Sequence, residues 1–364
     1  MQRLPGLYKG LFILVWLIAT LNANAQIRMG CATPKPAGAA RLVPPTFSRT
    51  TDISGMRIIK LFVYVTRGEF SLSQPAQTEA EIMAHFEIVR QQFAPLGICF
   101  IIAGFAEIRS DALAFIDSDS DTDYELVRSY ANSRPDCLSV FVHNDIAGDI
   151  IGTAWNIPNT FVSLEANYTW SGYPVLASHE IGHALGLLHT FEDNYGKELV
   201  SRTGSCSNCA TTGDLICDTE ADLNISNSNF NNNCEYIGGH RDSCNVRYLM
   251  ETDNTMSYNS FTACVYKFTP QQGDRMHFTI TTTPALTNLT FIPGSGTITS
   301  NVNLSSGNHY ITYINSITIN SPVYNITGVA TMQMTSAEII LKPGVTLAPT
   351  GTGLTALRAN VLCQ

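Results

Sequence analysis

The sequence predicts an α/β domain that carries a metal-binding helix, followed by a small all-β module. Segments of strand and helix character alternate along residues 58–190, which is typical of an α/β domain. Beyond residue 284 the runs are short, rich in Thr, Asn and Ile, and nearly uncharged. We therefore divide the chain into residues 1–25, 26–57, 58–284 and 285–364.

Strand-like runs and helices alternate in the first half of the α/β domain. Residues 58–65, 97–102 and 138–143 are rich in β-branched and aromatic side chains, which favours strands. Thr78 and Glu81 form a capping-box pattern before a run of helical periodicity. A second helix is predicted over 124–133, and residues 152–164 favour an edge strand, a turn and a further strand. His143, at a strand end, is predicted to be structural.

The most specific motif is H-E-x-x-H-x-x-G-x-x-H at residues 179–189. Residues four apart share a helix face, so His179 and His183 can bind one Zn²⁺ with Glu180 beside them. Gly186 tolerates a left-handed backbone and ends the helix, so that His189 can return to the metal. Three histidines leave one position for water, which is typical of catalytic zinc. A buried His-rich helix without metal is the alternative, and it does not explain the fixed spacing.

A second motif, N-x-M-x-Y, follows at residues 254–258. A Met in a tight turn beneath zinc-binding histidines packs as an apolar floor, so Met256 is predicted not to be a ligand. Thr269 and Pro270 then have the N-cap and N1 pattern of a further helix.

These motifs together resemble the pappalysin (cytophagalysin) family of metzincin zinc metallopeptidases. The resemblance covers roughly residues 58 to 280 and rests on the zinc motif with Thr190-Phe191, residues 213–219, the Met256/Tyr258 turn and Phe268-Thr269. It implies an α/β (α+β) metzincin-like catalytic domain with an active-site helix and a Met-turn. It also implies that Tyr258 helps to stabilise the reaction's oxyanion, and that an extended peptide can pair with the edge strand.

The resemblance also implies a calcium site after the zinc motif. The ligands would be the Asp214 carboxylate and the carbonyls of Ile216 and Thr219, since Ca²⁺ takes oxygen ligands. Glu220 and Cys217 depart from the family pattern there, and ordinary solvated acids are the alternative. Relatives that cut beside Arg or Lys carry an acidic residue where this chain has Ala263, so a basic-residue preference is not supported.

Residues 1–25 have the pattern of a secretory signal peptide. Arg3 and Lys9 precede an apolar core, and Ala23 and Ala25 form an A-x-A cleavage site. A membrane anchor is the alternative, but the apolar run is short for one, and no other stretch approaches membrane length. Cleavage removes two positive charges and takes the net charge from −9 to −11, which argues against nucleic acid or an anionic membrane as the main partner.

Ten cysteines in a secreted chain predict disulfides. Six of them lie in an irregular region between the zinc motif and just past the Met-turn: Cys206, Cys209, Cys217, Cys234, Cys244 and Cys264. By resemblance, Cys234 pairs with Cys264, Cys244 pairs with Cys206 or Cys209, and Cys217 takes the remaining one of that pair. Half of a structural zinc knuckle at 206–209 is the alternative, and it lacks a partner motif. A Cys99–Cys137 bridge would leave Cys31 and Cys363.

Residues 26–57 have no periodic pattern and are predicted to be an extended pro-segment or linker. Metzincin zymogens often place a thiolate or an acidic group of the pro-segment at the open zinc position. By that resemblance Cys31 is a candidate latency switch. The alternative is that Cys31 pairs with Cys363.

Residues 285–364 contain only three charged side chains, Glu338, Lys342 and Arg358. Short strand-like runs recur about every 20 residues, which indicates a small β-solenoid or a β-sandwich. The module resembles C-terminal adhesive or sorting modules of secreted enzymes, and could bind a cell surface or secretion machinery. A stabilising appendage without a ligand of its own is the alternative.

The sequence thus predicts a secreted endopeptidase that acts on protein or peptide substrates with a zinc-activated water and Glu180 as general base. A catalytically silent adhesin with a structural zinc site is the first alternative, although a binding protein has no need of Glu180. A zinc hydrolase of non-peptide amides is the second.

Overall fold

The computed structural model describes residues 31–34, 56–69, 77–166, 175–225, 229–231, 233, 235–258, 266–290, 294–313, 315–321, 323–345, 347, 350 and 355–359. The predicted signal peptide, Pro174, Cys234, Ala263, Cys264 and Cys363 lie outside these residues.

A five-stranded sheet forms the centre of the α/β part of the chain, in the order β2-β1-β4-β7-β6. Its strands are β1 (Arg57–Arg67), β2 (Ile98–Arg109), β4 (Leu138–His143), β6 (Gly152–Thr153) and β7 (Phe161–Glu165). The first four strands in that order are parallel, and the short edge strand β6 is antiparallel to β7. Two short strands, β3 (Phe115–Ile116) and β5 (Asp145–Ile146), pair separately. The predicted α/β pattern with an antiparallel edge is confirmed.

Helices cover both faces of this sheet. They are α1 (Glu79–Phe93), α2 (Asp111–Ala114), α3 (Asp121–Ala131), α4 (Leu176–Ala184), α5 (Pro270–Thr282) and α6 (Pro284–Thr287), with 3₁₀ turns at Ala94–Leu96 and Gly204–Cys206. Thr78 and Thr269 cap α1 and α5 with complete capping boxes, as their sequences predict. One core lies between the sheet and α1, α4 and α5, and a second lies on the opposite face against α2 and α3.

Two disulfides staple the irregular region after α4. Cys206 pairs with Cys244 and Cys209 pairs with Cys217, which agrees with the pairing that the resemblance implied. The region's own core is small and contains Ala221, Phe230, Tyr248 and Met250. The bridges therefore hold loops that bury little apolar surface.

The predicted Cys99–Cys137 bridge is wrong. Cys99 is disulfide-bonded, but Cys137 is a free, buried thiol. Cys99 lies in β2 and Cys137 directly precedes β4, and β1 lies between these two strands. Two strand spacings amount to about 9–10 Å, which exceeds the Cα separation that a disulfide spans. Cys31 is also a free thiol, so the alternative Cys31–Cys363 bridge is wrong as well.

The C-terminal module is a parallel β-solenoid, which decides between the two predicted architectures. Its strands are β8 (Ser295–Ile298), β9 (Val302–Leu304), β10 (Asn308–Thr312), β11 (Ser316–Ile319), β12 (Tyr324–Ile326), β13 (Thr331–Ser336), β14 (Glu338–Leu341) and β15 (Thr355–Ala359). They stack in the orders β8-β11-β14, β9-β12 and β10-β13-β15. Ser295, Ser316 and Glu338 share one register position on successive coils.

The solenoid packs on β2, the sheet edge opposite to β6. The Gln333 carboxamide accepts a hydrogen bond from Phe105 N (3.0 Å) and donates one to Phe105 O (2.8 Å). The Arg134 guanidinium lies over the rings of Phe62 and Tyr310, at 4.7 and 4.6 Å from their centroids. The module therefore covers an edge strand that would otherwise expose unpaired backbone groups.

Candidate active site

Helix α4 presents the first two histidines and the glutamate of the zinc motif. His179, Glu180 and His183 are all fully buried. Gly182, on the same helix, faces Met256, and a Cβ at this glycine would lie 2.7 Å from the methionine sulfur. The glycine therefore allows the Met256 turn to pack directly beneath the histidines.

The helix ends at Ala184, and Gly186 makes the turn that follows it. Gly186 has φ +100°, a conformation that glycine adopts without strain. The backbone then turns and brings His189 back to the other two histidines. The ring of Phe191 stacks on His189 at 4.7 Å between centroids.

The three imidazoles converge on one point. His183 Nε2 lies 3.1 Å from both His179 Nε2 and His189 Nε2. Nδ1 of His179 lies 2.8 Å from the Thr255 carbonyl, and Nδ1 of His183 lies 2.8 Å from the Leu187 carbonyl. In the tautomer that these distances favour, each Nδ1 carries the proton and donates it to the carbonyl. The Nε2 atoms then keep their lone pairs, which face one another. This donor set fits a zinc ion.

Burial keeps these imidazoles neutral. It lowers the pKa of His179 to about 4 and that of His183 well below its usual value. Neutral imidazole is the form that binds a metal ion. The Cys31 sulfur lies with the three histidines, and all four ligand atoms are within 4.8 Å of one another.

Glu180 lies between the histidines and the edge strand. Its Oε1 has no hydrogen-bond partner among the described residues, and a Cβ at Gly152 would lie 2.7 Å from this atom. Oε2 accepts a hydrogen bond from the Thr33 hydroxyl (3.0 Å), which in turn accepts one from Ala154 N (2.8 Å). Burial raises the pKa of Glu180 to about 8.

The residues that follow Met256 complete the site. The Tyr258 hydroxyl accepts a hydrogen bond from Cys31 N (3.1 Å) and donates one to Cys31 O (3.2 Å). Its ring packs against His189 and Phe191, with centroid distances of 4.8 and 4.6 Å. Met256 is fully buried and does not belong to the group of candidate ligand atoms.

The residues expected to bind calcium lie together, apart from the histidine cluster. The buried Asp214 carboxylate accepts hydrogen bonds from Ile216 N (2.9 Å) and from the Thr219 hydroxyl (3.1 Å). The Ile216 carbonyl accepts a bond from the same hydroxyl, but the Thr219 carbonyl accepts one from Arg202. Arg202 also forms an ion pair with the buried Glu198 (2.6 Å).

Several residues of this site carry no sequence signal of their own. Thr33, Gly152 and Asp222 are common residue types outside any motif, and only the fold brings them to the zinc motif. Gly182 stands at an unspecified position within the motif, and only the fold shows that it faces Met256. His143 hydrogen-bonds to the Leu113 carbonyl and the Ser163 hydroxyl inside the second core, so it is structural, as predicted.

Comparison with known proteins finds a family match around the zinc motif. The peptidase family model described as pregnancy-associated plasma protein-A matches residues 156–281, which include α4, the stapled region and the Met256 turn. This part of the chain is therefore similar to the pappalysin family of zinc metallopeptidases. The family match and the convergent histidines agree on the same residues.

Curated proteins that are similar to this chain are described as extracellular metalloproteases. One from Podospora anserina is 26% identical over 247 residues, covering 62% of this chain and 74% of the relative. One from Verticillium alfalfae is 22% identical over 302 residues, covering 74% of this chain and 97% of the relative. Among solved structures, mature mirolysin of Tannerella forsythia in complex with a cleaved peptide matches with a TM-score of 0.45 at 19% identity, over 65% of this chain and 96% of that chain.

Proposed function

We propose that the chain is a secreted zinc endopeptidase in which Glu180 is the general base and Tyr258 assists the oxyanion. The observation that carries this proposal is the convergence of three Nε2 atoms beside a buried carboxylate. His179, His183 and His189 would hold the zinc ion. When bound, zinc supplies a Lewis acid that acidifies a water molecule and polarises the scissile carbonyl.

Glu180 would move the proton. Its unpartnered Oε1 is available to an attacking water, and its pKa of about 8, raised by burial, suits a group that takes a proton and returns it near neutral pH. The proton then passes to the leaving amine. Gly152 supports this role because it leaves room for the carboxylate against the edge strand.

Tyr258 would bind the reacting peptide. Its hydroxyl already hydrogen-bonds to the backbone of Cys31, which belongs to an extended segment at the site. A substrate that replaces this segment meets the same hydroxyl near its scissile bond. A donor at that position stabilises developing negative charge.

The substrate class follows from the edge strand. Ala32 N donates a hydrogen bond to Gly152 O (3.1 Å), and Cys31 pairs with Gly152 as a parallel bridge. Backbone pairing at β6 accepts any extended peptide, whatever its side chains. The proposed substrates are therefore unfolded or extended stretches of proteins.

Residues 31–34 would keep the enzyme latent before activation. The Cys31 thiol lies with the three histidines, where it competes for the metal position. The Thr33 hydroxyl donates a hydrogen bond to Oε2 of Glu180. The metal site and the base are thus masked by two neighbouring side chains of one segment, and removal of that segment would expose both.

Calcium is the second proposed ion. Asp214 and Glu198 are buried acids, and Glu198 Oε2 has no hydrogen-bond partner among the described residues. A cation near them would offset this negative charge. The Thr219 carbonyl accepts a hydrogen bond from Arg202, so calcium would have to compete with that guanidinium. We therefore expect the site to bind calcium with low affinity.

We also propose that the protein is exported. The curated relatives are described as extracellular, residues 1–25 have a signal-peptide pattern, and the chain contains disulfides. Within the residues that the structure describes, no helix is long and apolar enough to cross a membrane. Binding of the solenoid to a cell surface or to secretion machinery stays a prediction.

The decisive experiment compares residues 26–364 with the Glu180→Ala variant. Both are incubated with an unfolded protein, with and without a zinc chelator, and the new N-termini are sequenced. We expect the wild type to cleave the substrate and its own chain before about Ser54, and the chelator to stop it. We expect the variant to bind zinc and cleave nothing. If the zinc-loaded wild type stays inactive after removal of 26–57, the peptidase proposal is rejected and the adhesin alternative is favoured.

A further inference from the structure

Asp222 is a buried carboxylate that lies between two parts of the active site. It is 8% exposed, in the stapled region between Thr219 and the Met256 turn. Its Oδ2 accepts a hydrogen bond from the Thr190 hydroxyl (2.5 Å) and another from the Ser257 hydroxyl (2.8 Å). One carboxylate oxygen therefore joins two segments that are 67 residues apart in the chain.

Both donors adjoin residues of the reaction. Thr190 follows the third histidine, and Ser257 precedes Tyr258. A backbone bond from Thr190 N to Met256 O (3.2 Å) joins the same two segments. The carboxylate and this backbone bond together fix the position of His189 relative to Tyr258. The ring centroids of these two residues are 4.8 Å apart.

The carboxylate is itself held firmly. Its Oδ1 accepts a hydrogen bond from Leu223 N (2.7 Å), and the preceding residue, Ala221, packs in the small core with Tyr248 and Met250. The Cys206–Cys244 bridge closes the loops around this core. Through Asp222, the stapled region thus contacts both segments of the active site and can hold them in place.

We propose that Asp222 is a positioning residue for peptide hydrolysis, which holds the third metal ligand and the Tyr258 hydroxyl at a fixed separation. This inference rests on the proposed function. Asp222 donates nothing to substrate or metal in this arrangement; it acts through Thr190 and Ser257. Small displacements of groups that act together in a transition state lower the rate without a matching loss of substrate binding.

The test uses residues 26–364 in a Cys31→Ala background, so that latency does not differ between variants. Asp222→Asn keeps the side chain's size but leaves one acceptor oxygen for three donors, the two hydroxyls and Leu223 N. Asp242→Asn is the control, because Asp242 accepts backbone bonds in the same stapled region without contacting the site. The readouts are kcat and KM for a quenched-fluorescence peptide that the parent protein cleaves, the rate of zinc release to a chromophoric chelator, and Tm.

We expect Asp222→Asn to lower kcat about tenfold, with KM changed less than about twofold and zinc released several times faster. Asp242→Asn should leave kcat and zinc release as in the parent. Thr190→Val and Ser257→Ala, which each remove one donor, should lower kcat separately, and their effects should not add when Asp222→Asn is also present.

A folded Asp222→Asn protein with parental kcat and zinc release would overturn the inference, and so would equal changes in the control. If Asp222→Asn fails to fold, Thr190→Val and Ser257→Ala decide, and parental kcat in both would overturn it. If the parent protein binds zinc but cleaves no peptide, that result contradicts the proposed function itself and not only the role of Asp222.

Discussion

At the scale of single residues, the site depends on small side chains as much as on the histidines. Gly186 allows the turn that returns His189, Gly182 admits Met256, and Gly152 leaves room for Glu180. Thr33 is another small residue of the site: its hydroxyl donates a hydrogen bond to Glu180 and accepts one from Ala154 N, just after the edge strand.

The Thr33 hydroxyl gives a prediction about latency. Thr33→Val removes the bonds to Glu180 Oε2 and from Ala154 N while keeping the side chain's shape. Each such bond stabilises by about 1 kcal/mol or more, so we expect the latent protein to lose its pro-segment about tenfold faster. The measurement is the rate at which residues 26–364 lose the segment before about Ser54, followed by N-terminal sequencing.

Cys31→Ser is the comparison for that experiment, since it weakens the thiol's competition for the metal position and leaves Thr33 in place. We expect each single variant to process faster than the wild type and the double variant to be fastest. Wild-type processing in Thr33→Val would show that masking of the base makes no contribution to latency.

At the scale of elements, the loops after α4 bury charge instead of apolar surface. Burial raises the pKa of Glu198 to about 9 and that of Asp214 to about 7, and the negative charge of Asp214 raises the pKa of Glu198 further. Arg202 bridges Glu198 and the Thr219 carbonyl, which partly offsets this charge. The disulfides stabilise these loops, whose own apolar core is small.

These acids give a pH dependence of stability. Their folded pKa values are above their unfolded values, so the stability that they contribute is present below about pH 4 and is lost as pH rises towards 9. We expect Tm of the zinc-loaded Glu180→Ala protein in calcium-free buffer to fall between pH 6 and 9. Glu198→Gln should reduce that fall, whereas the surface variant Glu107→Gln should not.

Added calcium tests the proposed ion in the same assay. Millimolar calcium at pH 8 should raise Tm of the parent protein, because a cation offsets the ionised acids, and should raise it less in Glu198→Gln. Equal Tm values with and without calcium would remove calcium from the proposal and leave Arg202 as the cation of these loops.

At the scale of the whole molecule, the solenoid and the active site lie at opposite edges of one sheet. The solenoid covers β2, and the edge strand β6 lies beside Glu180. This arrangement leaves one edge free for an extended peptide and closes the other. The module therefore contacts the sheet at the edge away from the site.

The contact at β2 gives a prediction about stability without loss of chemistry. Gln333→Leu removes the two hydrogen bonds to Phe105 from a buried position, so we expect the free energy of unfolding to fall by about 2 kcal/mol. Urea unfolding measures this, and kcat should stay within about twofold. Asn303→Ala, at the exposed end of an Asn303–Asn325 contact, is the control and should change stability little. Unchanged stability in Gln333→Leu would show that the module does not support the sheet.

The histidine cluster and the carboxylate beside it are predictable from local sequence. The spacing of His179, Glu180, His183, Gly186 and His189 is local, so helix geometry and one glycine turn suffice to predict that they converge. Capping boxes at Thr78 and Thr269 are equally local. Other features depend on strand order and loop path, and the three-dimensional structure is needed to see them. β1 separates Cys99 from Cys137, and residues 31–34 lie along the edge strand. Asp222 accepts hydrogen bonds from Thr190 and Ser257. Such contacts join residues far apart in the chain, and no periodicity or spacing in the sequence encodes them.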